Sequence, residues 1–125
     1  MIHLDTNFLI RALVHGSPQD EAVHKWLRSE ETLGMCTIAW AELLCGPIDT
    51  RDVELASIVV PERIPFLEED AALSARLFNE SGRRRGSLAD CMIASTALRL
   101  QVPLATANPS DFRRFEKHGL VLFAA

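Results

Sequence analysis

Residues 1–10, MIHLDTNFLI, decide how this chain is read. Residues 1–4 make a strand-like apolar run, Asp5 stops it, and Phe8, Leu9, Ala12 and Leu13 then recur at helical spacing. Strand, acid and helix in direct succession predict a βα unit whose turn is Asp5. Two roles are open to that residue. Its carboxylate can cap the new helix by accepting hydrogen bonds from the orphan N–H groups of the first turn. It also stands at the carboxyl end of a strand, where open α/β sheets gather their ligand sites.

The pattern continues along the chain. A second helix follows Ser17-Pro18, with Pro18 in the first turn, where its missing N–H costs little. Residues 35–37 predict a short strand leading into IAWAELLCG, residues 38–46, a helical segment that ends at Gly46-Pro47. A short helix is expected over 50–58 and a strand over 64–66. Helices are expected over 69–81 and 87–100, the second with Ala89, Met92, Ile93, Thr96, Ala97 and Leu100 on one apolar stripe. A strand over 102–105, a turn at TANPSDF (106–112), a short helix and a last strand over 120–123 complete the order. There is no internal repeat, low-complexity tract or linker. Strands alternating with helices predict an α/β fold, a mainly parallel central sheet flanked by helices on both faces. A chain of 125 residues suits one such domain, spanning 1–125.

Composition narrows the functional classes. At 48% hydrophobic and 24% charged, the chain has too many apolar residues for intrinsic disorder. No apolar stretch approaches the roughly 20 residues of a membrane helix, and the start lacks a basic-then-hydrophobic leader. A cytoplasmic protein without membrane association is expected. Cys36, Cys45 and Cys91 show no metal-ligand spacing and read as core thiols of a reducing compartment. The net charge of -4 gives no general reason to expect nucleic acid as a partner. Positive charge is nevertheless concentrated, in Arg83, Arg84 and Arg85 between two glycines and in Arg113, Arg114 and Lys117. Either group fits a solvated surface as well as a phosphate contact.

Four acids sit beside apolar structure: Asp5, Glu42, Asp90 and Asp111. Each has an ordinary explanation. Glu42 can be a solvated helix residue, although the stripe Ile38, Ala41, Glu42 and Cys45 predicts partial burial, which is costly for an unpartnered carboxylate. In SLAD, Ser87 and Asp90 fit a capping box. Asn108, Pro109 and Asp111 fit a helix start. Together the acids suggest more, because the carboxyl ends of neighbouring parallel strands converge on one crevice. Like charges about 5 Å apart repel by about 3 kcal/mol per pair at an effective dielectric near 20, so such a cluster needs a counter-charge. Oxygen donors without His or Cys suit a hard divalent cation, Mg²⁺ or Mn²⁺.

Four segments in order, DTNFLI, AELLCG around Glu42, LADCMIASTAL around Asp90 and LATANPSDF near the end, make the chain resemble a PIN domain. The likeness is greatest to the toxin ribonucleases of the VapC type from bacterial toxin-antitoxin pairs, and it covers nearly the whole chain. The resemblance implies a Mg²⁺- or Mn²⁺-dependent endoribonuclease with Asp5, Glu42 and Asp90 as an acidic triad and Asp111 as the fourth acid. Asp111 is preferred over Asn108 because it is the carboxylate of the two. Asp5 and Asp90 would be the metal ligands, with Thr6, Asn7, Thr106 and Asn108 as supporting polar groups. The expected cut leaves a 5′-phosphate and a 3′-hydroxyl. Arg83, Arg84 and Arg85, just before the Asp90 helix, would hold flanking RNA phosphates. A cognate antitoxin and a homodimer are the implied protein partners.

Other classes fit less well. A receiver-type signalling domain wants paired acids near the first strand and a Lys after a late strand, whereas the lysines here are Lys25 and Lys117. A haloacid-dehalogenase-like phosphatase wants a second Asp where Asn7 stands. A PIN domain that binds RNA or a partner without cutting is the nearest alternative, and the full set of acids argues against it.

Overall fold

The structure, a computed structural model, describes every residue except Arg85, Gly86 and Ala125. Strand β1 (Ile2–Leu4) leads through Asp5 into α1 (Thr6–Ala12), and α2 (Pro18–Arg28) follows. Strand β2 (Leu33–Cys36) passes straight into α3 (Thr37–Cys45), followed by α4 (Thr50–Val59) and β3 (Glu62–Ile64). Two long helices, α5 (Glu68–Glu80) and α6 (Leu88–Leu100), precede β4 (Leu104–Thr106). Two 3-10 turns, Pro109–Asp111 and Arg113–His118, then lead to β5 (Leu122–Ala124).

The strands form one parallel sheet in the order β3-β2-β1-β4-β5, with Ile2 opposite Leu33 and His3 opposite Leu104. The fold is the expected α/β sheet. The chain begins at the centre, moves outward through β2 to β3, then crosses back to β4 on the other flank of β1. The winding direction therefore reverses between β1 and β4, and a crevice opens there at the carboxyl ends of the strands.

Central strands read as continuous apolar runs because both faces are covered: every residue of β1, β2 and β4 is buried, whereas the edge strand β3 is largely exposed. Phe8, Leu9, Leu43, Leu77 and Phe115 fill the core beside Leu4, Leu33, Met35 and Leu104, each large side chain contributing about 1.5–3 kcal/mol when fully buried. Phe8 stacks on Trp26 with ring centroids 5.7 Å apart, which ties α1 to α2. Ser17 caps α2 by accepting from the Asp20 N–H at 3.0 Å, with Pro18 in the first turn as expected.

The helices follow the expected spans closely, and the strands shift for local reasons. Residues 102 and 120 were expected to open strands. Instead, Gln101 (φ 56°) and Gly119 (φ 100°) adopt left-handed caps, and Val102 and Leu120 fold back so that their N–H groups reach the Ala97 and Phe115 carbonyls, at 3.1 and 3.4 Å. An apolar residue after a left-handed helix cap belongs to the cap, not to the next strand. The strand expected over 64–66 ends at Ile64, because Pro65 has no N–H to give the ladder. The strand expected over 35–37 runs over Leu33–Cys36, since Thr37 already starts α3. Cys36 and Cys91 are core thiols, but Cys45 is exposed, a correction to its expected burial. Among the described residues no helix is long and apolar enough to cross a membrane.

Candidate active site

Asp5 caps α1 and still leaves its carboxylate at the carboxyl end of β1, on the wall of a cavity. Its Oδ1 accepts from the Phe8 N–H at 2.7 Å, capping α1, and its Oδ2 accepts from the Thr106 hydroxyl at 2.5 Å. Thr106, fully buried at the end of β4, accepts in turn from the Asn108 N–H at 3.0 Å. The Asp5 N–H donates to the Ala105 carbonyl at 3.0 Å. The carboxylate is thereby fixed at the seam between β1 and β4, the switch point of the sheet.

Around it opens a cavity of about 260 Å³ lined by Asp5, Thr6, Asn7, Glu42, Asp90 and Asp111, with Ile10, Ile93 and Phe112 as apolar walls. The acids come from different places: the β1 end, α3, the first turn of α6 and a 3-10 turn. None of the four has a basic side chain within ion-pair distance among the described residues.

The electrostatics record that imbalance. Burial raises the Asp5 pKa, the hydrogen bonds from Thr106 and Phe8 hold it down, and the charges of Glu42 and Asp111 raise it further. Asp90 is pushed up to about 6 by burial first and by Asp111 next, with Glu42 and Asp5 adding to the rise and Arg114 opposing it. Burial and the neighbouring acids thus act in the same direction on both aspartates.

Glu42 corrects the sequence-based expectation of burial: it is exposed. Ala39 and Leu43 are the buried residues of α3 and Ile38 packs half-buried against the core, whereas Ala41 and Cys45 face outward with Glu42. Glu42 is still held, since the Thr6 hydroxyl lies 2.9 Å from its Oε1 and 3.1 Å from the Ala39 carbonyl, sharing one proton between them.

The capping explanation for Asp90 does not hold. The Ser87 side chain makes no cap to α6; its hydroxyl donates back to the Arg84 carbonyl at 2.6 Å. Thr6 and Asn7 line the cavity, and Thr106 and Asn108 form the layer behind Asp5. The exposed Arg83 and Arg84 do not line it, and Arg83 donates to Asn79 Oδ1 at 2.8 Å and sits 5.7 Å from the Phe78 ring centroid. Arg85 lies outside the described residues.

The donor set is entirely oxygen, the choice of hard divalent cations. Among the described residues no three His, Cys, Asp or Glu side chains are already drawn together around one point. An open cavity with separated carboxylates instead fits a cation that keeps several waters and takes one or two carboxylates directly, the habit of Mg²⁺. Asp5, fixed by two hydrogen bonds, and Asp90, in the first turn of α6, both line that cavity and could hold such an ion.

Comparison with known proteins agrees with this architecture. The family model described as PIN domain matches residues 2–118. VapBC2 from Rickettsia felis, solved bound to a DNA fragment from its promoter, superposes with a TM-score of 0.78 at 22% identity, covering 100% of this chain and 99% of that chain. FitAcB from Neisseria gonorrhoeae gives 0.71 at 24% identity, with 98% and 96% covered. A toxin-antitoxin complex from Klebsiella pneumoniae gives 0.71 at 23% identity, with 90% of each chain covered. At these identities the likeness is one of fold. No curated protein sequence matches the chain.

Proposed function

Because the chain belongs to the PIN domain family, we propose that it is a Mg²⁺- or Mn²⁺-dependent endoribonuclease of the VapC type, the toxin of a toxin-antitoxin pair. The observation that carries this reading is the convergence of Asp5, Glu42, Asp90 and Asp111 on one cavity at the β1/β4 switch, without a basic partner among the described residues. The full span 1–125 would act as one such domain, in the cytoplasm.

In this reading Asp5 and Asp90 would hold the cation, and Asp111 would add negative charge to the same cavity. The Thr106 hydroxyl keeps Asp5 in place, and Asn108 keeps Thr106 in place through its N–H. When bound, Mg²⁺ or Mn²⁺ supplies Lewis acidity toward water and toward the phosphodiester. Glu42, exposed and oriented by Thr6, accepts a proton from the attacking water. A water oxygen would bond to phosphorus as the bond to the 3′ oxygen breaks, the 3′ oxygen would take a proton from solvent, and the products would carry a 5′-phosphate and a 3′-hydroxyl. Asn7, at the rim, contacts the substrate backbone. Arg83 and Arg84, with Arg85, engage flanking phosphates and supply locally the positive charge that the chain lacks overall.

The relatives include toxin-antitoxin complexes, which supports a cognate antitoxin as partner. A homodimer is the proposed assembly. Purified protein incubated with structured RNA is expected to cleave it with Mn²⁺ or Mg²⁺ and to stop on addition of chelator. Undiminished cleavage in chelator would overturn the metal-dependent mechanism.

A further inference from the structure

We propose that Arg114 is a positioning residue of the acid cavity, pinning the turn that carries Asp111 from behind; the inference rests on the metal-dependent reading above. Its Nη1 donates to the Asp111 carbonyl at 2.6 Å. The guanidinium carbon lies 4.4 Å from the centroid of the Phe115 ring, and Phe115 is itself 1% exposed. Phe115 packs edge-on against Phe112, a wall of the cavity, with centroids 6.3 Å apart. The chain of contact from Arg114 therefore reaches the cavity by two routes, through the Asp111 backbone and through the two aromatic rings.

The placement is costly unless something compensates it. Nε and Nη2 of Arg114 are buried and find no hydrogen bond among the described residues beyond a weak contact with the Cys91 thiol, and no carboxylate stands within ion-pair distance of the side chain. A guanidinium cannot shed its charge to relieve this. What it does have is the field of the acids: its charge reaches Asp90 and Cys91, consecutive residues in the first turn of α6. Arg114 thus stands between the two elements that carry Asp90 and Asp111. It holds one by a hydrogen bond and is held near the other by charge. Carbonyl anchoring and aromatic stacking both use the planar fork of Arg, which Lys lacks.

Thermal melts with and without Mn²⁺ and RNA cleavage against Mn²⁺ concentration, on the parent, Arg114→Met and Arg114→Lys, test this. Outer-shell partners of metal ligands typically contribute about 10–100-fold to metal affinity, so Arg114→Met should raise the half-saturating Mn²⁺ concentration about tenfold. Its Mn²⁺-induced melting shift should shrink, and most of the maximal cleavage rate should return at saturating Mn²⁺. Arg114→Lys should fall between. A variant that melts earlier but keeps the parent's Mn²⁺ shift and Mn²⁺ dependence would make Arg114 merely structural and overturn the proposal. If Arg114→Met does not fold, Arg114→Lys decides by the same criterion. A parent that gains stability from Mn²⁺ but cuts no RNA would sink the ribonuclease reading alone, since the melts still compare the variants. A parent unaffected by Mn²⁺ overturns both.

Discussion

Asp70 and Asp90 occupy the same place, the third residue of a helix, in two helices packed against each other, and meet opposite fates. Asp70 has a side chain with no solvent exposure, yet it is fully partnered. Oδ1 accepts from Arg99 Nε at 2.7 Å, Oδ2 caps the Leu67 N–H at 2.9 Å, and Arg99 also holds the Pro65 carbonyl at 3.0 Å. Asp90 has neither cap nor ion pair and faces three other acids. The difference separates two kinds of buried acid: one neutralised by an ion pair, the other set among like charges without an ion pair, which makes it the candidate for a site.

The comparison breaks most visibly in activity. If the proposed mechanism holds, Asp90→Asn is expected to lower RNA cleavage on the order of 10³-fold, about 4 kcal/mol of transition-state stabilisation, because it would remove a ligand from the cation. Asp70→Asn should leave cleavage per folded molecule unchanged. Single-turnover assays on both variants check the contrast; equal losses would erase it.

Stability should show the reverse order. Asp70→Ala strands the Arg99 guanidinium in a partly buried position and is expected to cost about 3 kcal/mol in urea unfolding, the low end for a broken buried pair because Arg99 retains some exposure. Asp90→Asn should stabilise the metal-free protein by about 1 kcal/mol at neutral pH, since it removes one charge from a repelling group. The pH dependence gives the sign. Asp90 titrates near 3.8 when unfolded and at about 6 when folded, so the parent loses stability relative to Asp90→Asn as pH rises from about 4 to about 6. The difference then stays constant. His3, buried with its pKa lowered to about 4, acts in the opposite direction, but equally in both proteins, and cancels in the difference. Unfolding curves at pH 4, 5, 6 and 7 measure it; a flat difference would mean that neither burial nor the neighbouring acids raise the Asp90 pKa.

The smallest effect concerns the arginines before α6. Replacing Arg83 and Arg84 with Ala should reduce the salt-dependence slope of RNA binding by about 0.7 for each phosphate that is no longer neutralised. A filter-binding series from low to moderate salt reads it, and an unchanged slope would leave these residues to solvent or to a protein partner.

Much of this contrast was legible in the residues themselves. Strand, acid and helix follow one another within residues 1–10, so Asp5 at the sheet seam needed only local pattern. Other features depend on distant contacts. Helix α3 is apolar nearly all round, with exposed Leu44 directly following buried Leu43, so periodicity could not orient it and Glu42 was expected on the wrong face. Ser87 and Asp90 spell a capping box that the chain does not form, because the Ser87 hydroxyl finds the Arg84 carbonyl instead. Asp70 and Arg99 are 29 residues apart, and only the packing of α5 on α6 brings them together. Arg114 sat in a basic group that reads as surface, and no spacing marked it as the one that turns inward.

The most direct test of the central claim is a calorimetric titration of the metal-free protein with Mn²⁺ at pH 6, near the pKa of Asp90. The acid cavity should bind Mn²⁺ saturably and release protons as Asp90 gives up its share, so the apparent heat should change with the ionisation enthalpy of the buffer. Asp90→Asn should lose both binding and proton release, and Asp70→Asn should keep both. A parent that takes up no Mn²⁺, or an Asp90→Asn variant that binds it as the parent does, would contradict the account.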